Sequence, residues 1–317
     1  MPRKKILVYF TQRRVAADPF AHLPERREIY WSIFQEGRSR GFDMYLGVIP
    51  TIYCGGMDFE NVLFFTGEQF TLQNERITFD AIYDRNSAKN FPPKDIDHKT
   101  LNSLAFKTLA NNKDLTYALL QKHMPLTFPL ASKDDFEKAL SHFHKEEVVV
   151  FKPVDGFGGK GVLITEAKNL KPTLITPDKR FILQKFVDTS NGVSGLVSGC
   201  HDLRILVING KPTMLQVREP VVGGKLANMS QGGTAREVLY EDAPQCIQAV
   251  ISEVHPLIDA LFCSPMYSID FGIDTDGTPY IFEINDQVGL KTITGKNRGR
   301  FCQNLFDSLE RIAALPL

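Results

Sequence analysis

The sequence predicts an α/β (α+β) chain in three parts, an α/β domain over residues 1–97 followed by two α+β subdomains over residues 98–189 and 190–317. Three observations predict it. Strand-like and helix-like segments alternate at the start. Two later pairs of apolar runs are each joined by a two-residue turn signal, Asn209-Gly210 and Asp276-Gly277. Between them in kind lies the stretch 148–165, VVVFKPVDGFGGKGVLIT, which sets a lysine and a glycine-rich loop between two β-type runs.

Each element follows from local pattern. KKILVYF opens the chain as an apolar strand, residues 25–40 space their apolar groups at helical intervals, and YLGVI and FDAIYD restore the strand pattern. The polar stretch 85–99, with Pro92-Pro93, reads as a connection. Helical segments follow at 101–110 and 114–123. Ser132 with Asp135 makes a capping pattern ahead of a helix ending near His144, since a serine hydroxyl accepts from the amide three residues on. Residues 148–152 read as a buried strand that Pro153 ends, 161–165 as a short β-branched strand, and 181–187 as another. The Gly/Ser-rich 190–199 reads as a flexible or hairpin connection. Beyond it, 202–219 form two strands about Asn209-Gly210, 242–262 a helix, 267–273 and 279–284 a second hairpin, and 297–314 a closing helix. No internal repeat is evident.

Composition excludes several classes of function. The chain has 317 residues, 43% of them hydrophobic, with 37 basic and 37 acidic side chains, so no global charge argues for nucleic acid or an anionic membrane as partner. The pairs Arg13-Arg14 and Arg26-Arg27 read as solvated faces. Five cysteines, Cys54, Cys200, Cys246, Cys263 and Cys302, are scattered without C-x-x-C spacing, which disfavours a disulfide framework and a zinc site. Cys200 and Cys263 read as buried apolar residues. The apolar run 6–10 is too short for a signal peptide and no stretch reaches transmembrane length, so the expected location is the cytoplasm.

The glycine loop resembles three unrelated motifs, and spacing separates them. GFGGKG satisfies G-x-G-x-x-G, but a strand and not a helix follows, so the dinucleotide reading fails. Counting from Lys160 gives Val154 and Gly161 where a P-loop needs Gly and Ser or Thr. Asp270-Phe271-Gly272 and His201-Asp202-Leu203 imitate protein-kinase signatures, yet 68 residues separate Asp202 from Asp270 and only 45 follow Gly272, too few for a helical lobe. What remains is a flap over an anion: Gly156, Gly158, Gly159 and Gly161 let the backbone approach phosphates closely beside Lys152. In the last hairpin, Asp270 lies on one strand while Glu283 and Asn285 occupy alternate positions of the next, so all three can face one site. Such oxygen ligands suit Mg²⁺. Taken alone, an acidic hairpin is more often a solvated edge.

In this order the motifs resemble the ATP-grasp superfamily, particularly bacterial glutathione synthetases and ribosomal-protein glutamate ligases. The resemblance runs from about Lys113 to Gly289. It is carried by NKDLTYALLQKHMPLTFP, FKPVDGFGGKGV, FILQKFVD, HDLRILVINGKP, REPVVGGKLANMSQGG, SIDFGID and YIFEIN. The resemblance implies an ATP-grasp fold and an ATP- and Mg²⁺-dependent carboxylate–amine ligase working through an acylphosphate. It implies that Lys113 and Lys152 hold nucleotide phosphates under the flap of Gly156, Gly158 and Gly159, that Gln184, Phe186 and Val187 contact adenine largely through backbone groups, and that Asp270, Glu283 and Asn285 hold the metal. Arg218 and Arg204 would neutralise the transferred phosphoryl group, though for Arg204 an ordinary surface ion pair is an equal alternative. Lys225 and Asn228 would meet substrate.

Three departures bear on substrate. Lys185 stands where relatives carry a carboxylate or amide, Leu226 where they carry an arginine, leaving Lys225 as the nearest cation, and DQVGL follows Asn285 where many have a proline-glycine turn. Lysine does not reproduce bidentate recognition by arginine. The expected partners are small-molecule or peptide carboxylate and amine substrates, with a homo-oligomer also allowed. Two alternatives remain open at this point: a nucleotide-binding structural protein of spore-coat-like kind, and a kinase on the same fold.

Overall fold

The computed structural model describes residues 2–13, 18–86, 93–156, 158–176, 178–221, 223–224, 227 and 232–316. The opening apolar run forms β1 (Lys5–Arg13), followed by α1 (Pro24–Ser39), β2 (Asp43–Ile49), β3 (Ile52–Gly55), β4 (Asp58–Glu60), β5 (Val62–Phe65), β6 (Phe70–Gln73), β7 (Ile77–Thr78) and β8 (Ala81–Asp84). With β9 (Thr100–Leu101) these make a six-stranded sheet in the order β6-β5-β2-β1-β8-β9 and a small sheet β3-β4-β7. The small sheet and β5 and β6 were not legible from pattern. Their strands are two to four residues long, too short to display a period of two.

Next come α2 (Leu104–Ala110), α3 (Lys113–Leu120), β10 (Thr127–Leu130), α4 (Lys133–Leu140), β11 (Val148–Pro153), β12 (Leu163–Glu166) and β13 (Phe181–Lys185). The helices start where side-chain caps predict. Ser103 Oγ accepts from Phe106 N (3.2 Å), Asn112 Oδ1 from Asp114 N (3.0 Å), and Ser132 Oγ from Asp135 N (3.1 Å). Helix α2 begins three residues later than its pattern suggests, because Leu101 is drawn into the edge of the first sheet beside Tyr83. Strands β10, β13, β11 and β12 form an antiparallel sheet whose core side holds Val149, Phe151, Leu183 and Phe136.

The last part contains β14 (Asp202–Ile208), β15 (Lys211–Glu219), β16 (Thr234–Val238), α5 (Gln245–Leu261), β17 (Met266–Ile273), β18 (Pro279–Asn285) and α6 (Gly295–Ala314). Asn209 (φ 53°) and Gly210 (φ 69°) are both left-handed, as a type I′ hairpin turn requires. The segment 190–199 is a turn closed by a bridge between Val193 and Val197. Helix α6 does not stay with its own sheet. Its Phe301, Leu305, Phe306 and Leu309 share one core with Ile6, Phe34 and Met44 from the first sheet and with Leu206 and Met266 from the last. At Gly37 a β-carbon would lie 2.8 Å from Phe306 Cζ and 2.3 Å from Met44 Sδ, so glycine is what lets α1 approach this closely. Cys263 is exposed and Cys200 half-buried, against the expectation of two buried thiols. Cys263 lies in the bend between α5 and β17, and the buried cysteine is Cys302, inside α6.

Candidate active site

Strand alternation builds the cleft. On β11, Val149 and Phe151 turn to the core while Val150 and Lys152 face the opposite side, where they line a cleft with Ile164 and Gln184. Lys152 is buried, and burial lowers its pKa to about 8. Its ammonium donates to Gln184 Oε1 (3.0 Å), and Gln184 Nε2 donates to Thr127 Oγ1 (2.7 Å). Gln184 therefore acts through its side chain, not only through backbone: it holds the lysine. Phe186 and Val187, past the end of β13, continue the same wall.

The glycine loop sits over this wall. Gly158, Gly159 and Gly161 have φ of 62°, 74° and 74°, conformations that residues with a β-carbon adopt at a cost. Lys113, the first residue of α3, is tied to the loop: its backbone N–H donates to Val154 O (3.3 Å) and its ammonium to Gly156 O (2.8 Å). The same ammonium lies 3.9 Å from Glu283 Oε2, so it spans the gap between flap and carboxylates.

The opposite wall is a charged row across four strands. In register, Asp202 on β14 faces Arg218 on β15, Arg204 on β14 faces Asp270 on β17, and Asp270 faces Glu283 on β18. The other face of the same strands, with Leu203, Ile205, Val217 and Phe271, packs into a core under Ile247 and Val254 of α5. Arg204 is no surface pair. Its Nε and Nη2 donate to Asp270 Oδ1 and Oδ2, each at 2.6 Å, and Arg218 Nη2 reaches Asp270 Oδ2 at 2.6 Å and also pairs with Asp202. Burial pushes the Asp270 carboxyl up, but the two guanidinium groups outweigh it and hold the group well below the usual range. Asp202 is raised to about 6 by burial and by the neighbouring Asp270 carboxylate, against the pull of Arg218 and, more weakly, Arg204. Asn285 Nδ2 lies 3.3 Å from Asp270 Oδ2 and 3.4 Å from Glu283 Oε1, which brings the expected metal triad together.

Lys225 and Asn228 lie outside the described residues. Two side chains near the site were missed by sequence reasoning. Asp202 stands two positions before Arg204, a spacing that puts both on one strand face; the signal was present, hidden within the kinase look-alike His201-Asp202-Leu203. His201 lines the cleft behind it, with its Nε2 3.4 Å from the Ile273 N–H, and burial lowers its pKa.

The arrangement fits a polyphosphate and a hard cation. The cleft encloses about 950 Å³ with its open mouth, and Lys113, Lys152, Lys160 and Lys185 line it against the carboxylates of Asp202, Asp270 and Glu283. Arg218 Nε and Asp202 Oδ1 are buried without a hydrogen-bond partner among the described residues. Two carboxylates and an amide oxygen are the donor set of a cation that keeps water or phosphate ligands.

Known proteins resemble this chain in sequence and in fold. A glutathione synthetase of Ralstonia nicotianae is 25% identical over 93% of this chain and 94% of its own length. A probable alpha-L-glutamate ligase of Maridesulfovibrio salexigens is 25% identical over 52% of this chain and 51% of its own. Among solved structures, the ATP-grasp ligase PsnB complexed with minimal precursor, Mg and ADP superposes with a TM-score of 0.60 at 13% identity, covering 96% of this chain and 97% of that one. Residues 110–289, more than half of the 317, match the family model of the ATP-grasp domain, and the chain belongs to the ATP-grasp family.

Proposed function

We propose that the chain is an ATP-dependent ligase that joins a carboxylate to an amine through an acylphosphate. The observation that carries this reading is the pairing of two walls around one cleft: Lys152 under the glycine flap on one side, and Arg218, Asp270 and Glu283 on the other. A substrate carboxylate oxygen attacks the γ-phosphorus of ATP and the bond to the bridging oxygen breaks, releasing ADP. The amine then attacks the acyl carbon, loses a proton, and phosphate leaves with the bonding pair. No enzyme nucleophile is needed, which leaves the five cysteines without a chemical part.

The side chains divide this work. Lys152 and Lys113 place charge beside the polyphosphate. The flap, tied to Lys113 through Gly156 O, excludes water from the reacting phosphorus. Arg218 offers its unpartnered Nε to charge that develops on the phosphoryl group. Arg204 holds the Asp270 carboxylate by a fixed fork, a positioning role. Asp270, Glu283 and Asn285 would hold Mg²⁺, which when bound neutralises charge on β- and γ-oxygens. The three-part division at 97/98 and 189/190 follows the separate sheets except at β9, which pairs with the first sheet; the second and third parts line the cleft.

Mass spectrometry of the purified chain with Mg²⁺-ATP and a pool of amino acids and short peptides tests the reading. The expected result is ADP with a condensation product of two pool members. ADP with only a phosphorylated acceptor makes the protein a kinase. AMP rules out the acylphosphate route, and bound but unconsumed ATP leaves a nucleotide-binding structural protein.

A further inference from the structure

Three buried polar side chains run back in a row from the nucleotide cleft, one on each of three neighbouring strands. Thr127 on β10 stands opposite Gln184 on β13, and Lys152 on β11 lies two residues beyond Val150, the partner of Gln184 on its other side. In that order they are 3%, 2% and 8% exposed. Strand alternation puts all three on the face turned away from the core of Phe128, Val149, Phe151 and Leu183. With water nearly excluded, the row must satisfy its own polar groups.

The row has a direction, and Thr127 sets it. A threonine hydroxyl carries one proton, and that of Thr127 goes to Pro125 O at 2.7 Å. Toward Gln184 the oxygen can therefore only accept. Gln184 donates to it from Nε2 at 2.7 Å, which turns Oε1 to the other side, 3.0 Å from the Lys152 ammonium. The reversed amide would set N–H groups against the ammonium and one acceptor against another at Thr127. Among the described residues Gln184 Oε1 is the one acceptor hydrogen-bonded to the Lys152 ammonium, which leaves two of its protons for phosphate oxygens.

We propose that Thr127 is a positioning residue for nucleotide binding: through Gln184 it turns a carbonyl oxygen toward Lys152 and so holds that ammonium, charged and aimed, at the phosphate site. This rests on the reading of Lys152 as a phosphate ligand. Burial disfavours the ammonium. Around it, Glu283 of β18 and Asp270 of β17 favour the charged form and Lys113 of α3 opposes it, while Lys160 of the flap, Lys185 of β13 and Asp202 of β14 line the same cleft. Among the described residues, the Thr127 side chain hydrogen-bonds to none of these charged groups. Its effect on Lys152 is carried by the amide between them.

NMR titration of the lysine side chains in the isotopically labelled full chain, without nucleotide, reads Lys152 directly, its signal assigned by Lys152→Met. Thr127→Val keeps the shape and removes the acceptor, so the amide is free to turn. The Lys152 midpoint is then expected about one pH unit below that of the wild type, because a hydrogen bond to a charged group is lost. Thr127→Ser keeps the hydroxyl and should titrate as the wild type does. Gln184→Glu puts a carboxylate beside the ammonium and should raise the midpoint, which checks the contact however Thr127→Val folds. Isothermal titration with ATP at about pH 8, near the Lys152 pKa, should follow the same order. Thr127→Val should bind about fivefold more weakly, since fewer molecules carry the charge, and Thr127→Ser normally. An unmoved midpoint in Thr127→Val, a serine variant that behaves like the valine one, or an unmoved midpoint in Gln184→Glu overturns the inference. Midpoints that move as expected with no change in ATP affinity count against Lys152 as a phosphate ligand and leave the relay standing.

Discussion

Arg204 and Asp270 form a two-pronged ion pair, Nε to Oδ1 and Nη2 to Oδ2 at 2.6 Å each, between directly opposed positions of neighbouring strands. The fork fixes the plane of the carboxylate. Asp270 also meets Arg218, so the same group that faces Glu283 and Asn285 is oriented from behind by two guanidinium groups.

Because the pair is buried, removing one partner leaves an uncompensated charge. Arg204→Met should destabilise the protein by about 3 kcal/mol, the low end for broken buried pairs because Arg218 still compensates Asp270. Urea denaturation measures this. A loss under about 0.5 kcal/mol, the size typical of exposed pairs, would show that the fork contributes no more than a surface contact.

Glu283 separates chemistry from stability. Its side chain is about one-quarter exposed and its nearest cation, Lys113, is 3.9 Å away, so neutralising it disturbs little packing. Glu283→Gln should lower kcat for ATP turnover by about a hundredfold or more while shifting the melting temperature by no more than about 2 °C. Calorimetry and an ADP-release assay decide it together. Retained turnover removes Glu283 from the site.

Lys152 makes nucleotide affinity depend on pH. Burial lowers its pKa to about 8, so in the free protein the ammonium is lost as pH rises through that value, and with it the charge that meets phosphate. ATP affinity should fall between pH 7 and pH 9, and Lys152→Met should bind weakly at both and lose the pH dependence. The sign for stability is the opposite. The unfolded chain keeps this proton up to about 10.5, so between 8 and 10.5 the penalty of burying the charged lysine is relieved and its effect on folding becomes less unfavourable. Isothermal titration at the two pH values tests the first statement; a pH-independent wild type contradicts it.

Long-range order in this chain was legible where side chains with chemistry sit at a fixed strand spacing. Asp270, Glu283 and Asn285, Arg204 and Arg218, and Lys152 before the glycines all lie on strands whose alternation shows in the sequence, and the resemblance read from Lys113 to Gly289 coincides closely with the matched 110–289. Illegible were relations made only by folding. The Gln184–Lys152 bond joins residues 32 positions apart, and a second cleft is built from α2, the flap and the end of β18. The small sheet β3-β4-β7 escaped because its aromatic residues carry no local period: Phe59 packs on Tyr9 from another sheet, and Tyr53 packs on Phe59. Cys263 was misread because composition ranks free cysteine as buried, while its place just past α5 exposes it.

Gly272 ties the strand of Asp270 to the shape of the nucleotide cleft. A β-carbon there would lie 2.2 Å from Phe282 Cζ and 2.8 Å from Thr189 Cγ2, and both of those residues line the cleft. The ring is rigid, so Gly272→Ala must push Phe282 toward the nucleotide while leaving Lys152, Arg218 and Glu283 in place. Overpacking of this kind costs about 1–3 kcal/mol. The dissociation constant for ATP should rise about tenfold, with kcat at saturating ATP within about twofold of wild type. Gly277→Ala supplies the contrast: φ is 86°, nothing lies within 4 Å of the added carbon, and the strained turn should lose about 1 kcal/mol of stability with ATP affinity unchanged. Equal effects of the two substitutions on ATP affinity would mean that Phe282 does not shape the adenine side of the cleft.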